Sequence, residues 1–160
     1  MTTVQLTPKT GENFAVVDVG KFSELHQFTF EAPENTLKLE GKVFLKELLN
    51  LTSAEISLNK LPSKKSVPFY HKHRQNEEIY IFVRGSGEFQ VDDRVFPVGE
   101  GTVVRVDPEG ERCIRNTSDV EELCWIVVQS RVGSYSYTDH TIQDGFGVPK
   151  KVSWVGKEQL

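Results

Sequence analysis

Two histidines and a glutamate in the stretch FYHKHRQNEEIYIFVRGSGEF have the types and spacing of metal ligands. His71 and His73 are one residue apart, and Glu78 follows after four more residues. Side chains two residues apart in an extended chain share a face, so both imidazoles project together if residues 69–73 are extended. The polar residues 74–77 then predict a turn that brings Glu78 to face them. Two imidazoles and one carboxylate suit a divalent first-row metal ion and leave positions open for water and substrate. Exposed histidines in an ordinary hairpin are the alternative.

Short β-type runs separated by turn residues must position these side chains. In AEISLNKL, apolar Ile56 and Leu58 alternate with polar Ser57 and Asn59, as in a strand with two unlike faces. Residues 79–83 are continuously apolar, which indicates a strand buried on both faces. The β-type runs comprise residues 14–19, 54–61, 79–83, 88–91, 94–98, 102–106 and 123–129. Together with the turn residues at close spacing between them, these runs predict an all-β antiparallel sandwich or barrel.

One segment, GKVFLKELLN, fits two kinds of secondary structure. Its apolar residues Phe44, Leu45, Leu48 and Leu49 recur at a helical period. It stands between strand-like runs, however, so we interpret it as a strand followed by a turn.

The histidine stretch resembles the first motif of the cupin superfamily, which consists of small jelly-roll β-barrels. That motif is Gly, five residues, His-x-His, three or four residues, Glu, six residues, Gly. His71, His73, Glu78 and Gly85 match it, whereas Lys65 stands where the opening glycine would be. The resemblance implies that His71, His73 and Glu78 bind a divalent metal ion, with iron, manganese, nickel and zinc as the candidates.

The second cupin motif is matched less closely, in GTVVRVDPEGERCIRN. Gly101, Pro108, Gly110 and Asn116 are recognisable, but the motif's metal-binding histidine is absent. Its place falls on Arg112 when the motif is aligned from Asn116, and on Cys113 when it is aligned from Pro-x-Gly. Three ligands still suffice for a metal ion in the two-histidine, one-carboxylate arrangement.

Three further residues are candidates for binding a substrate in the barrel. Arg112 has a planar fork of donors suited to a carboxylate or phosphate, or else it lies on the surface. Tyr80 and Phe82 share a strand face with Glu78, so we expect them to line the same cavity, with simple core packing as the alternative. Cys113 is either a thiolate ligand or a buried structural thiol.

Length and composition favour one domain. The chain has 160 residues, a net charge of −4 and 38% hydrophobic residues, so it has the composition of a globular protein. We expect the barrel to span residues 41–130, with N-terminal strands in residues 1–40 packed on it. The segment 131–160 should pack outside the barrel, anchored by Val152, Trp154 and Val155.

The composition of the sequence also bears on its partners, its location and its assembly. The sequence has no dense basic patch for nucleic acid and no apolar run long enough to cross a membrane. The two cysteines form no framework, and no secretory signal is visible, so we expect a reduced, cytoplasmic protein. The resemblance to cupins and the apolar strand LCWIVV predict a homodimer.

The function expected from these observations is binding of a small, anionic molecule beside a metal ion. The resemblance admits dioxygenases, isomerases, decarboxylases and lyases, but no nucleophile arrangement is visible, so the catalytic residues remain unassigned. A metal-free cupin that binds a ligand or serves a structural role without catalysis is the alternative, since fold does not determine function.

Overall fold

The computed structural model describes residues 4–31, 37–135 and 144–160, and short β-strands dominate them. A 3-10 helix spans Phe22–Gln27, and a single-turn helix, α1, spans Lys46–Leu49. The strands are β1 Lys9–Thr10, β2 Ala15–Val16, β3 Thr29–Glu31, β4 Lys38–Glu40, β5 Lys42–Phe44, β6 Glu55–Leu61, β7 Asn76–Arg84, β8 Ser86–Val91, β9 Arg94–Gly99, β10 Val103–Val106, β11 Arg112–Asn116 and β12 Leu123–Arg131.

Two antiparallel sheets build the body of the protein. One has the strand order β10-β7-β12-β6-β5 and the other the order β11-β8-β9, and two short ribbons, β1-β2 and β3-β4, precede them. The hydrogen-bonded ladders of the two sheets stay separate, so the barrel is an assembly of two facing sheets. The prediction of an all-β antiparallel fold is confirmed.

An apolar core fills the space between the two sheets. The ring of Phe89 from β8 lies edge-on to Tyr80 and Phe82 from β7, and Trp125 from β12 packs beside Phe82. The prediction that β7 is buried on both faces is wrong, because only alternate residues of this strand are fully buried. The opposite side chains, Ile79, Ile81 and Val83, lie half-buried on the outer face.

Strand β6 presents its polar face to the interior. Ser57 and Asn59 are buried, whereas Ile56 and Leu58 lie half-buried on the outer face. A polar lining on one wall means that the space between the sheets is not apolar throughout. A cavity lies between the sheets beside this strand, and Asn59 is among its lining residues.

The ambiguous segment GKVFLKELLN contains both a strand and a helical turn. Strand β5 pairs with β6, and α1 follows it and ends at Asn50, whose left-handed backbone closes the turn. The strand prediction is confirmed at residues 42–44, whereas residues 46–49 form one turn of α-helix, as their apolar spacing also allowed.

Gly85 forms the tight connection between β7 and β8. Its φ is 81°, in the left-handed region, and a Cβ at this position would clash with the carbonyl oxygen of Glu122. Only glycine fits both constraints, so the last glycine of the first cupin motif has a structural role here.

The segments outside the two sheets differ in how they are held. The 3-10 helix is fixed to β6 by Lys60, whose ammonium donates to the carbonyl of Ser23 at 2.7 Å. Residues 144–160 lie exposed, and the expected anchor Trp154 is 87% exposed, so the expected packing against the barrel is not observed for this part. The rest of the predicted C-terminal extension, residues 136–143, lies outside the described residues. Among the described residues, no helix has the length and hydropathy needed to span a membrane.

Candidate metal centre and cavity

The backbone around the two histidines is tied to the second sheet. The amide of His71 donates to the carbonyl of Arg112 at 3.3 Å, and the amide of Arg112 donates back at 3.1 Å. The amide of His73 donates to the carbonyl of Pro108 at 2.9 Å. The histidine segment therefore runs beside β11 through isolated bridges, without forming a regular strand.

Glu78 on β7 lies against both imidazoles. Its Oε2 is 3.5 Å from Nε2 of His71, and its Oε1 is 3.0 Å from Nε2 of His73. The ligand atoms of the three side chains all lie within 4.8 Å of one another. The structure therefore brings together the three residues that the spacing singled out.

The surroundings of Glu78 favour its ionised form. Burial by itself raises the pKa of this carboxyl, but hydrogen bonds from His71 and Tyr80 and the positive charge of His73 and His71 lower it to about 2. The hydroxyl of Tyr80 donates to Oε2 of Glu78. Burial and the adjacent carboxylate raise the pKa of Tyr80, so its phenol stays protonated.

The three side chains fit a divalent metal ion. Nε2 of His73 is buried and has no hydrogen-bond partner within the described part of the chain, although a carboxylate oxygen of Glu78 lies beside it. Neutral imidazole nitrogens and carboxylate oxygens repel one another unless a proton or a cation lies between them. An ion bound by two imidazoles and one carboxylate relieves this repulsion and completes a common ligand set.

Arg112 points into the protein and contacts the same glutamate. Its side chain is 1% exposed, and its Nε lies 3.3 Å from Oε2 of Glu78 without hydrogen-bond geometry. Nη1 donates to the carbonyl of His71 at 3.3 Å, whereas Nε and Nη2 have no hydrogen-bond partner among the described residues. Nε and Nη2 form one edge of the guanidinium, the edge that binds a carboxylate with two parallel hydrogen bonds.

A cavity of about 110 Å³ adjoins these residues. Tyr80 lines it, as expected, together with His71, Glu78 and Arg112. Phe82 does not line it and instead packs in the core between Phe89 and Trp125, which is the alternative that the sequence left open. The remaining walls come from both sheets and include Lys42, Asn59, Val67, Phe69, Cys113, Ile114, Trp125 and Val127.

Cys113 stands apart from the metal-type cluster. Its Sγ lies 3.2 Å from the carbonyl oxygen of Val67 and is not part of the group formed by the two histidines and the glutamate. The contact with Val67 supports the structural thiol and gives no support to the thiolate ligand.

Lys42 is a residue of the cavity that the sequence analysis missed. It lies on β5 opposite Asn59 and lines the same cavity as Arg112. The available signal was the polar pair Ser57 and Asn59, because buried polar side chains in a strand need polar partners.

A wider groove of about 560 Å³ lies on the outside of the three-stranded sheet, next to the residues 66–70. Glu88 and Arg115 line it and pair with each other near the surface. It lacks the two histidines and the buried charged groups, so the interior cavity is the stronger candidate site.

Comparisons with known proteins agree with this geometry. The family model described as the cupin domain matches residues 59–129. A cupin protein from Bacteroides fragilis is 30% identical in sequence, with a TM-score of 0.69, and the match covers 86% of this chain and 99% of that one. No curated protein sequence shows significant similarity to the chain.

Two more distant structures share the same architecture. A predicted oxalate decarboxylase from Thermotoga maritima is 25% identical, with a TM-score of 0.55, over 72% of this chain and 100% of that one. A cupin conserved barrel domain protein from Salinispora arenicola is 22% identical, with a TM-score of 0.51, over 57% of this chain and 75% of that one. These similarities agree with the jelly-roll fold expected from the histidine motif.

Proposed function

This chain belongs to the cupin superfamily, and on that premise we propose that it binds a small carboxylate compound in its interior cavity, beside a divalent metal ion. His71, His73 and Glu78 would hold the metal ion, and Arg112 would bind the carboxylate. Iron, manganese, nickel and zinc remain the candidate ions, since all accept this ligand set. The predicted oxalate decarboxylase among the similar structures is consistent with a small carboxylate.

The observation that carries this proposal is the buried guanidinium of Arg112, which has two donors without partners. Buried donors in native proteins are nearly always satisfied, so a group with two unsatisfied N–H atoms points to a missing acceptor. When Glu78 binds a metal ion, its charge is taken up by the ion, and Arg112 loses the carboxylate with which it is paired among the described residues. A carboxylate ligand would then satisfy both donors and separate the guanidinium from the metal ion.

The chemistry that a metal ion supplies here is Lewis acidity toward the oxygen atoms of the ligand. The side chains around the cavity would bind and orient the ligand. Arg112 orients the carboxylate, and Tyr80 keeps a proton in contact with Glu78.

The metal site is tested by elemental analysis of protein purified without added metal. We expect near-stoichiometric metal in the wild type. The double variant His71→Ala/His73→Ala should lose the metal, whereas His26→Ala, on the exposed 3-10 helix, should keep it. Equal metal content in all three proteins would refute the assignment.

The ligand site is tested by thermal unfolding with added carboxylates. Acetate or malonate at roughly 100 times its dissociation constant should stabilise the wild type by about 2.7 kcal/mol and raise its melting temperature by roughly 5–10 °C. Arg112→Met, which keeps the side-chain volume, should lose this shift. A shift of the same size in both proteins would show that the carboxylate binds elsewhere.

One observation favours a second candidate function, a binding protein without metal. Arg112 lies within 3.3 Å of Glu78, and this contact alone neutralises the buried carboxylate. In that case the purified wild type would contain no metal, and Arg112→Met would still abolish carboxylate binding. The two measurements therefore separate the two candidates.

Association and location complete the proposal. We place the chain in a homodimer formed through the outer face of the five-stranded sheet, where Ile81, Ile126 and Val128 are only half-buried and Val103 is exposed. Light scattering should give a dimer mass for the wild type and a monomer mass for Ile81→Glu. A monomeric wild type at micromolar concentration would contradict this proposal.

The two free cysteines support a reducing compartment such as the cytoplasm.

A further inference from the structure

A half-buried lysine, Lys42, lines the same cavity as Arg112, from the opposite sheet. Lys42 lies on β5, and its ammonium donates to Oδ1 of Asn59 at 2.8 Å and to Oγ of Ser57 at 3.4 Å. It also lies over the ring of Phe44, 4.8 Å from the ring centre. These partners are all uncharged, and they use two of the three donors of the ammonium.

The acceptors of Lys42 are themselves held in place. Nδ2 of Asn59 donates to Oγ of Ser57 at 3.0 Å, to the carbonyl of Ser57 at 3.1 Å and to the carbonyl of Trp125 at 3.4 Å. Because the amide nitrogen is committed to these acceptors, Oδ1 is turned toward the lysine. Long charged side chains usually extend their charge to water. Lys42 is instead directed inward by a fixed polar network.

The charge of Lys42 lacks a direct counter-ion. Among the described residues, no carboxylate lies within ion-pair distance of its ammonium, which is why Lys42 does not appear in any of the ion pairs of the fold. Burial lowers the pKa of Lys42 to about 8, and the more distant charges of Glu78 and Glu55 only partly oppose this. A charge that is partly removed from water without a charged partner is costly, and groups with shifted pKa values concentrate at functional sites.

The cavity therefore carries Lys42 on one sheet and Arg112 on the facing sheet. A third cation, Lys60, also lines it but is already paired with Glu122 at 2.6 Å. If Glu78 binds a metal ion, its negative charge is no longer available to Lys42 or Arg112. The volume of about 110 Å³ corresponds to roughly four water molecules at about 30 Å³ each, which limits the ligand to a small molecule.

We propose that Lys42 is a second anion-binding group of the cavity, so that the natural ligand is a small dianion, such as a short dicarboxylate. One carboxylate lies on the open edge of Arg112, and the second lies on the free donor of Lys42. This inference rests on the proposed function for the first carboxylate and adds the identity of the second group. Monocarboxylates would occupy only the Arg112 end of the cavity.

The test compares monocarboxylates with dicarboxylates by isothermal titration calorimetry on the full chain loaded with metal. Acetate is the monocarboxylate probe, and malonate and succinate are the dicarboxylate probes. We expect the wild type to bind its preferred dicarboxylate at least tenfold more tightly than acetate. Lys42→Met should weaken dicarboxylate binding by roughly ten- to a hundredfold, the range for a charged hydrogen bond, and leave acetate within about twofold.

Three further variants serve as controls. Lys42→Gln removes the charge but keeps a donor toward Asn59, so it provides the same comparison if Lys42→Met does not fold. Lys42→Arg keeps the charge and should retain part of the preference for dicarboxylates. Lys38→Met removes an exposed lysine of the neighbouring strand β4 and should leave both classes of ligand unchanged.

The outcomes separate this inference from the proposed function. If acetate binds and requires Arg112, but the Lys42 variants keep the full dicarboxylate preference, the second anion site is wrong and the proposed function stands. If Lys42→Met and Lys42→Gln weaken acetate as much as malonate, Lys42 supports the fold of the cavity and is not a subsite. If dicarboxylates bind through Lys42 but Arg112→Met changes nothing, the second site stands and the Arg112 assignment fails. Wild type that binds none of the probes would overturn both.

Discussion

The free energy of unfolding should depend on pH through the half-buried ammonium of Lys42. Burial lowers the pKa of Lys42 from 10.5 to about 8, while Glu78 across the cavity and Glu55 on β6 raise it. Arg112 faces the cavity from the second sheet, and Glu40, Lys60 and His71 also line it. A lysine whose pKa is lower in the folded state binds its proton more weakly there than in the unfolded chain. Its charged form therefore opposes folding below about pH 8, and this penalty disappears as the pH rises toward 10.5.

The size of the effect follows from the two pKa values. At about pH 7 the linkage relation gives a penalty of about 3 kcal/mol, and at about pH 10 it gives less than about 1 kcal/mol. Lys42→Met removes this penalty, but it also leaves Oδ1 of Asn59 without its donor, a cost that does not depend on pH. The stability of the wild type minus that of Lys42→Met should thus increase by about 2–3 kcal/mol from about pH 7 to about pH 10.

Urea unfolding at several pH values, with a chelator present so that Glu78 keeps its charge, measures this difference. Lys38→Met is the matched control, because Lys38 is exposed and pairs with Glu31 at the surface. Its difference from the wild type should change little over the same range. A flat curve for Lys42→Met, parallel to that of the control, would mean that the ammonium of Lys42 is well solvated and would refute the reasoning.

Three further predictions concern the stability of the fold. Lys60→Ala should lower the free energy of unfolding by about 2–4 kcal/mol, because the ammonium of Lys60 pairs with the carboxylate of Glu122 and donates to a carbonyl of the 3-10 helix. Urea unfolding at neutral pH measures this difference. Gly85→Ala should cost about 2–5 kcal/mol through its left-handed backbone and the clash with the carbonyl of Glu122; a cost below about 0.5 kcal/mol by thermal unfolding would contradict the described turn. Phe89→Ala should cost about 3–5 kcal/mol, as expected for a fully buried ring, whereas the exposed Val95→Ala should change the melting temperature little.

The candidate metal site was predictable from sequence because its residues are close together along the chain. His71 and His73 are two residues apart, and Glu78 follows a single turn, so local spacing fixed which side chains converge. Arg112 required a contact between distant parts of the chain. Its place was inferred from the register of the second cupin motif, counted from Asn116, and the structure puts its guanidinium beside Glu78.

The other wall of the cavity could not be predicted from the alternation of apolar and polar residues. In β6, the rule that apolar residues face inward would bury Ile56 and Leu58, but Ser57 and Asn59 are the buried pair. The rule fails because a cavity that holds polar groups reverses the usual preference. Lys42 donates to these two residues, so its place in the cavity could not be predicted before they were known to face inward.

The position of Glu78 has a consequence for how two ligands influence each other. One carboxylate contacts both the imidazoles and the guanidinium of Arg112, so a metal ion and an anion depend on the same negative charge. A metal ion that takes up this charge frees Arg112 for an anion, and an anion on Arg112 frees Glu78 for a metal ion. Thermodynamic linkage requires the two effects to be equal, so each ligand should raise the affinity for the other by one common factor, roughly 5- to 150-fold for couplings of this kind. Such a protein would hold each component more tightly when the other is present, so its loading with anion would report the supply of metal as well as that of the anion.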